Sequence, residues 1–252
     1  MRILSLDTTT RDGSAAIVED DRIVDVRGGD GSRTHAERLP AELIAILDAH
    51  GLTFRDIDVF AVAAGPGSFT GIRIGIATIQ GLSFTCGRRV VAVSALEALA
   101  HLASASLDEP EAGPRTPDAG PRIVVAWMDA RRRDVFSAVY RVTAAAPFDP
   151  ARMWAIDPAR VGSPAAILDG LEELSGQRSA STVFTGDGAV LYADEIAGRC
   201  PSAQIVPPHP IAGAVGLLAR ARARRGETID PAAIQPLYIR RPDAVIAREA
   251  RE

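Results

Sequence analysis

The stretch AGPGSFTGIRIG, residues 64–75, has the composition of a loop that holds phosphate. An apolar run ending at Ala63 predicts a strand before it, and Ser68 is a suitable N-cap for a helix after it. Such a turn points free backbone N–H groups and the positive end of a helix dipole at an anion. The segment matches neither GxGxxG nor GxxxxGK[ST], so a plain glycine-rich turn is an equally good interpretation.

The opening hairpin offers a second phosphate loop. In LDTTTRDGS, residues 6–14, Asp7 ends one apolar run and is followed by hydroxyls, a glycine and a second run. Actin-like ATPases and sugar kinases begin in this way, but Thr8 and Thr9 stand where those enzymes need glycine for close backbone approach. A hairpin turn tied by Asp and Thr side chains is at least as good an interpretation. The two candidate phosphate loops comprise Asp7, Thr8, Thr9, Gly65, Gly67 and Ser68.

The helix predicted after the glycine loop contains Gly71, Gly75 and Gly81, each costing about 1 kcal/mol relative to alanine. Gly71, Gly75 and Thr78 recur at i, i+4 and i+7, so they form a strip of small residues that lets another helix approach closely. If that helix belongs to the same chain, the strip is core packing; otherwise it is an interface. The apolar face toward the chain's own sheet comes from Ile72, Ile76 and Ile79.

Composition excludes several kinds of chemistry. The 28 basic residues are all arginine, which excludes a P-loop lysine, a Schiff-base lysine and a lysine general base. The net charge of −4 does not by itself favour nucleic acid. Cys86 and Cys200 lack a motif and are expected to be reduced thiols, and no apolar run approaches a membrane span, so we expect a cytoplasmic protein with no membrane contact.

No metal motif is present among the four histidines, His35, His50, His101 and His209. Residues 129–134, DARRRD, place three arginines between two aspartates. A solvated turn between strands and a contact to RNA phosphates are both open interpretations of this segment.

The order of predicted elements indicates two α/β blocks. The first has strands Arg2–Leu6, Ser14–Val18, Arg22–Val26, Asp58–Ala63 and Val90–Val93, with a helix beginning near Leu39, where Pro40 fits its first turn, and others over 68–85 and 94–103. The second has strands Ile123–Met128, Val135–Arg141 and Thr182–Thr185, with helices Pro164–Leu174, Ala189–Ile196 and Ala212–Glu227.

Residues 104–121 contain four prolines and read as a loop at a domain boundary. We therefore expect an N-terminal domain over 1–103, a second α/β domain over 122–207, a C-terminal amphipathic helix over 208–227 that packs back on the first domain, and a tail over 228–252.

Six segments occur in an order and spacing typical of one family: ILSLDTTT, THAERLP, AGPGSFTGIRIG, MDARRRDVFSAVY, TGDGA and PLYIRRP. On these motifs, which span nearly the whole chain, the sequence resembles the TsaB family. Its members are non-catalytic subunits of the bacterial complex that makes threonylcarbamoyladenosine beside the anticodon of tRNAs reading codons that begin with A. The GPGSFTGIRIG block is the most specific of the six, and residues 104–121 are the least family-like.

The resemblance implies an α/β fold of two actin-like/Hsp70-like (ASKHA) domains, each a mixed sheet flanked by helices, and common descent with the catalytic partner TsaD. TsaD carries a metal-binding H-x-x-x-H on the helix after the strand equivalent to Val90–Val93. The corresponding positions here are Ala95 and Leu99, both aliphatic. The resemblance therefore implies no catalytic residue, metal or cofactor in this chain, and phosphate loops that are vestigial.

The resemblance also implies partners: TsaD bound through helices of the N-terminal domain, an accessory TsaE-like ATPase, a second copy when the chain is alone, and tRNA only indirectly or weakly. We expect the glycine strip to be the crossing point, in an interface of Leu39, Leu43, Ile46, Thr70, Gly71, Gly75 and Thr78. Gly75→Leu is then expected to abolish partner binding while leaving thermal stability nearly intact.

Three rival functions remain open from the sequence. An actin-like ATPase or kinase would use Asp7, and Asp7→Ala would abolish its Mg-dependent nucleotide hydrolysis. A metallopeptidase is disfavoured by the aliphatic residues Ala95 and Leu99. A structural homodimer without a role in tRNA modification would show no partner binding.

Overall fold

The computed structural model describes residues 1–107, 122–175 and 182–240. The loop predicted over 104–121 and the tail over 228–252 lie partly outside the described residues. The first lobe, residues 1–107, consists of strands β1 (Arg2–Asp7), β2 (Ser14–Glu19), β3 (Arg22–Gly28), β4 (Val59–Gly65) and β5 (Arg89–Ser94), and of helices α1 (His35–Asp48), α2 (Phe69–Cys86) and α3 (Ala95–Ser106).

The second lobe, residues 122–206, follows with its own sheet. Its elements are strands β6 (Ile123–Asp129), β7 (Val135–Val142), β8 (Met153–Gly162), β9 (Thr182–Thr185) and β10 (Gln204–Val206), and helices α4 (Pro164–Ser175), α5 (Asp187–Leu191) and α6 (Ala193–Arg199). Helix α7 (Ala212–Arg224) comes last.

The two lobes share one strand plan. The first sheet has the order β3-β2-β1-β4-β5 and the second the order β8-β7-β6-β9-β10. In each, three antiparallel strands form a meander, and two further strands are added parallel to the first strand of that meander. This confirms the predicted architecture of two mixed sheets flanked by helices, as in actin-like proteins.

Three apolar clusters hold the layers together. Helices α1 and α2 pack on the outer face of the first sheet, and the apolar residues of α3 and α7 lie between the two sheets. The outer face of the second sheet is covered by α4, α5 and α6. Helix α7 is tied to the first sheet by polar contacts, because Ser5 Oγ donates to the carbonyl of Ala212 at 2.6 Å and Ala212 N donates to Ser14 Oγ at 3.1 Å. None of the helices in the described ranges is long and apolar enough to cross a membrane.

Helix α1 begins earlier than predicted. The carboxylate of Glu37 accepts hydrogen bonds from the N and the hydroxyl of Thr34 at 2.9 and 2.6 Å, so the helix starts at His35. Pro40 then lies inside the helix and not in its first turn. Because Pro40 is on the exposed side, water can satisfy the carbonyl that loses its intrahelical partner.

The second lobe departs further from prediction. Strand β8 was not predicted, because it contains Pro158 and lacks a regular apolar alternation, and β10 is only three residues long. The single helix expected over Ala189–Ile196 is two short helices that break at Tyr192. These are the least periodic parts of the sequence.

Candidate functional site: the cleft between the lobes

A cleft of about 940 Å³ opens between the lobes. Its walls come from the first hairpin (residues 7–14, joining β1 and β2), the glycine loop (residues 64–68) with the start of α2, the second hairpin (residues 129–135, joining β6 and β7) and a C-terminal strap (residues 237–240). Both candidate phosphate loops contribute to these walls, so the packing of each loop decides what the cleft can hold.

The first hairpin packs directly on the glycine loop. Asp7 Oδ1 accepts hydrogen bonds from the N and the hydroxyl of Thr9 at 2.8 and 2.6 Å. The carbonyl of Thr9 in turn accepts from Ser68 N at 2.7 Å. A Cβ at Gly67 would lie 2.4 Å from that carbonyl, so glycine is required here by the approach of the hairpin.

Thr8 explains two of the glycines in α2. Its side chain is fully buried against that helix. A Cβ at Gly71 would lie 2.1 Å from the carbonyl oxygen of Thr8, and a Cβ at Gly75 would lie 2.1 Å from its hydroxyl oxygen. The space left by these glycines is therefore filled by the first hairpin of the same chain, and Ser68 caps the helix as predicted, accepting from Gly71 N at 3.2 Å.

The predicted partner interface is corrected by this packing. Leu39, Leu43 and Ile46 are 3%, 1% and 0% exposed in the outer core of the first lobe. Gly71 and Gly75 are covered by Thr8. None of these five residues is available to a partner. Of the remaining two residues of the set, Thr70 is exposed, and the half-buried Thr78 donates its hydroxyl to the carbonyl of Ile74 at 2.8 Å.

A different face of the same helices is open. Phe84 of α2 is 84% exposed, and Ile44 of α1 is 49% exposed. Ala77, about two turns before Phe84 in α2, is exposed as well. A Cβ added at Gly81 would meet no atom of the described residues within 4 Å, so their packing does not account for a glycine at this position. We name these four residues, Ile44, Ala77, Gly81 and Phe84, the outer helix face.

Two carboxyls have perturbed surroundings near the cleft: Asp7 is buried at the start of the first hairpin, and the half-buried Asp187 lines the cleft itself. Burial raises the pKa of Asp7, although its hydrogen bonds from Thr9 and the nearby His35 act in the opposite direction. Burial also raises the pKa of Asp187, whose Oδ1 accepts from the N of Asp129 at 3.0 Å and of Gly188 at 2.9 Å. Asp7 thus accepts from an N–H of its own hairpin, Asp187 accepts from Gly188 and from the second hairpin, and the charge on each is disfavoured by its burial.

The second hairpin is built in an unusual conformation. Arg131, Arg132 and Arg133 have φ values of +61°, +56° and +63°, in the left-handed region that costs a side chain roughly 1–2 kcal/mol per residue. The turn closes through Asp134 N donating to the carbonyl of Arg131 and Ala130 N donating to the carbonyl of Asp134, both at 3.0 Å. All three arginine side chains are exposed, which confirms the interpretation as a turn between strands.

The C-terminal strap lines the cleft, and the sequence did not predict this role for it. Leu237 N donates to the carbonyl of Ala64 at 2.7 Å, and the ring of Tyr238 stacks on Phe69 at a centroid distance of 4.8 Å. Arg73 Nε donates to the Tyr238 hydroxyl at 2.8 Å. These contacts hold the strap on the first lobe.

The other end of the strap reaches the second lobe. Arg240 donates to the carbonyl of Ala130 at 2.7 Å and forms an ion pair with Asp134. The strap therefore links the glycine loop to the second hairpin. The only signal for it in the sequence was the motif PLYIRRP.

The residues at the two positions where TsaD places its metal ligands cannot bind metal. Ala95 and Leu99 are 0% and 4% exposed and belong to the apolar cluster between the sheets. Across residues 1–107, 122–175 and 182–240, no three His, Cys, Asp or Glu side chains are grouped so that they could hold a metal ion.

The fold and the cleft match known proteins. A family model described as TsaD, tRNA N6-adenosine threonylcarbamoyltransferase, matches residues 26–168. The chain is 29% identical over 245 residues to the tRNA threonylcarbamoyladenosine biosynthesis protein TsaB of Haemophilus influenzae, covering 95% of this chain and 94% of that protein. It is 31% identical over 253 residues to an uncharacterized protein of Mycobacterium tuberculosis, covering 96% and 93%. The structure of YeaZ from Pseudomonas aeruginosa superposes with a TM-score of 0.70 at 27% identity, covering 94% of this chain and 99% of that one.

The fold places the chain in a class of two-lobed α/β proteins with one mixed sheet in each lobe and a cleft between the lobes. The chain belongs to the TsaB family, within the group of proteins that match the TsaD family model.

Proposed function

We propose that this chain is a non-catalytic subunit of the machinery that makes threonylcarbamoyladenosine in tRNA, and that it binds and activates a TsaD-type catalytic subunit. The relative from Haemophilus influenzae is named for this biosynthesis, and the match to it covers nearly the whole of both chains. An accessory TsaE-like ATPase and a homodimer of the isolated chain belong to the same proposal.

The observation that carries the proposal is the filling of the glycine loop by Thr8 and Thr9. A Cβ at Gly67, Gly71 or Gly75 would lie within 2.4 Å of hairpin atoms, so the hairpin occupies the space that these glycines leave. Together with the aliphatic side chains at Ala95 and Leu99, this favours a subunit that supports catalysis elsewhere over one that performs it.

The outer helix face is the surface we assign to the catalytic subunit. Gly81 is a helix glycine that the packing of the described residues does not require. It lies one turn before Phe84, the most exposed large apolar side chain of the described residues. Small residues allow a partner helix to approach closely, and an exposed aromatic residue can be inserted into its surface. The cleft is lined by α2 only as far as Ile74, and none of the four residues of the outer helix face lines it, so this surface can be covered without closing the cleft.

Reconstitution tests the proposal. The cognate TsaD-type and TsaE-type proteins are given tRNA and threonylcarbamoyl-adenylate, with and without this chain, and modified adenosine is quantified. We expect modification only when the chain is present, and a loss of at least about tenfold in affinity for the catalytic subunit with Phe84→Asp. Arg141→Asp, at an exposed position in the second lobe, is the matched control and should bind normally. Full modification without the chain would contradict the proposal.

A further inference from the structure

We infer that the second hairpin is a contact for the phosphate backbone of RNA, so that this chain holds part of the tRNA itself. The inference rests on the proposed function, which places the chain in a complex acting on tRNA. It adds an RNA-binding surface in the second lobe to the partner surface of the first.

The backbone conformation is the first observation. Asparagine or glycine is the usual residue at positive φ, yet three arginines in succession occupy such positions here. An arginine is unfavourable at each of them, so the side chains are present for a reason other than the turn. Strain of this kind concentrates at binding and catalytic sites.

The second observation is how firmly the turn is held. Asp129 Oδ1 accepts from Arg131 N at 2.8 Å, and its other oxygen lies 3.0 Å from the Arg131 guanidinium. On the far side, Arg240 of the strap bonds the carbonyl of Ala130 and pairs with Asp134. The turn is therefore held from both sides, and its three exposed arginines extend from a braced backbone.

Charge and position point to a polyanion. Arg131, Arg132, Arg133 and Arg240 outnumber Asp129 and Asp134 by two, although the whole chain carries −4. Arg131 and Arg132 line the cleft mouth, and Arg11 and Arg33 line it from the first lobe. Guanidinium groups bind phosphate oxygens in a two-point geometry, and arginines on both sides of a groove suit a chain of regularly spaced phosphates.

The test replaces all three arginines of the hairpin by asparagine. Asparagine tolerates positive φ, so Arg131→Asn, Arg132→Asn, Arg133→Asn removes charge while keeping the turn. The matched control, Arg22→Asn, Arg55→Asn, Arg89→Asn, removes the same charge from exposed positions at the other end of the first sheet. The probe is an unmodified transcript of a tRNA that reads a codon beginning with A. It is titrated into the assembled complex from about 50 to 200 mM salt.

We expect the hairpin variant to bind this tRNA at least about tenfold more weakly, with a salt-dependence slope reduced by about 2–3, because each lost phosphate contact lowers the slope by about 1. The control should stay within about twofold. A triple lysine variant should keep the slope while losing affinity, since it retains the charge but not the two-point geometry.

The outcomes separate this inference from the proposed function. If the hairpin variant binds tRNA as tightly and with the same slope as the parent chain, the inference is wrong while the proposed function stands. If it fails to join the catalytic subunit, the hairpin is a protein interface and the inference is wrong. If the other subunits modify tRNA fully without this chain, the proposed function is wrong, whatever the hairpin binds.

Discussion

The two lobes have the same strand plan but use the turn after their first strand in opposite ways. In the first lobe, Asp7 and Thr8 are buried, and the hairpin turns inward onto the glycine loop. In the second lobe, Asp129 is followed by three exposed arginines, and the hairpin turns outward into solvent at the cleft mouth. The turn at the same place in the strand plan is thus a packing contact in one lobe and a charged surface in the other.

The helices that follow the fourth strand of each lobe, counted along the chain, also differ between the lobes. Helix α2 has 18 residues and presents the outer helix face, whereas its counterpart in the second lobe is split into α5 and α6, of five and seven residues. We propose that the long helix offers a surface for a partner, whereas Ala189 and Ile196 of the two short helices pack on their own sheet. The strand plan is thus the same in both lobes, and the connections between strands determine what each lobe contacts.

The largest expected effect comes from the inward packing of the first lobe. Gly75→Leu places side-chain atoms where the Thr8 hydroxyl already lies, so we expect a loss of about 3 kcal/mol or more in the free energy of unfolding, measured by urea denaturation. This replaces the expectation that the same substitution would affect only partner binding.

Gly81→Leu is the matched control for Gly75→Leu. A Cβ at this position would meet no atom of the described residues within 4 Å, and we expect a gain of about 0.5–1 kcal/mol from helix propensity. If Gly75→Leu proved as stable as Gly81→Leu, Thr8 would not be the reason for the glycine, and the contrast between the two hairpins would lose its basis.

The second prediction concerns His101, in the α3 layer that both lobes share. Its side chain is fully buried, and neither ring nitrogen has a hydrogen-bond partner among the residues that the structure describes. Burial, with Arg152 and Arg222 nearby, lowers the pKa of His101 to about 4 from 6.5. The unfolded chain therefore takes up this proton near pH 6.5 while the folded chain does not. Stability is unaffected above that pH and falls toward pH 4, by about 3 kcal/mol in total.

The matched variant is His101→Leu, which cannot titrate. The difference between its unfolding free energy and that of the parent chain, followed from pH 7 to about pH 4.5, should change in favour of the variant as the pH falls. A difference that does not vary with pH would show that His101 ionises in the folded chain as easily as in water.

The third prediction tests whether the strap joins the two lobes. Tyr238→Ala removes the stacking on Phe69 and the hydrogen bond from Arg73, and we expect a loss of about 2 kcal/mol in the free energy of unfolding. Tyr238→Phe keeps the stacking and should lose only about 1 kcal/mol. Amide exchange at Leu237 should also be faster in the alanine variant. Unchanged exchange would mean that the strap is held by other contacts.

Prediction from the sequence succeeded where the determinants are local. The apolar run before Ala63 and the hydroxyl of Ser68 are sufficient for a strand and a capped helix, and both are found. The interface prediction failed because the partner of Gly71 and Gly75 is Thr8, more than sixty residues earlier in the chain. Spacing along a helix reports which residues share a face but not what covers that face. The positive φ values of the three arginines could not be predicted from the sequence, because arginine rarely adopts this backbone conformation.

The smallest expected effect compares the two hairpin turns directly. In the first, the residue with positive φ is Gly13 at +61°, whose missing Cβ would lie 2.5 Å from the carbonyl of Asp7; in the second, Arg133 has a similar φ of +63° and an exposed side chain. Arg133→Asn should therefore raise the free energy of unfolding by about 0.5–1 kcal/mol, because asparagine tolerates this conformation better. Gly13→Asn should lower it instead, because there the side chain has no space. Urea denaturation of the two variants side by side decides the point. If both substitutions shifted stability in the same direction, backbone conformation alone would govern the turns, and the arginines would need no function to explain them.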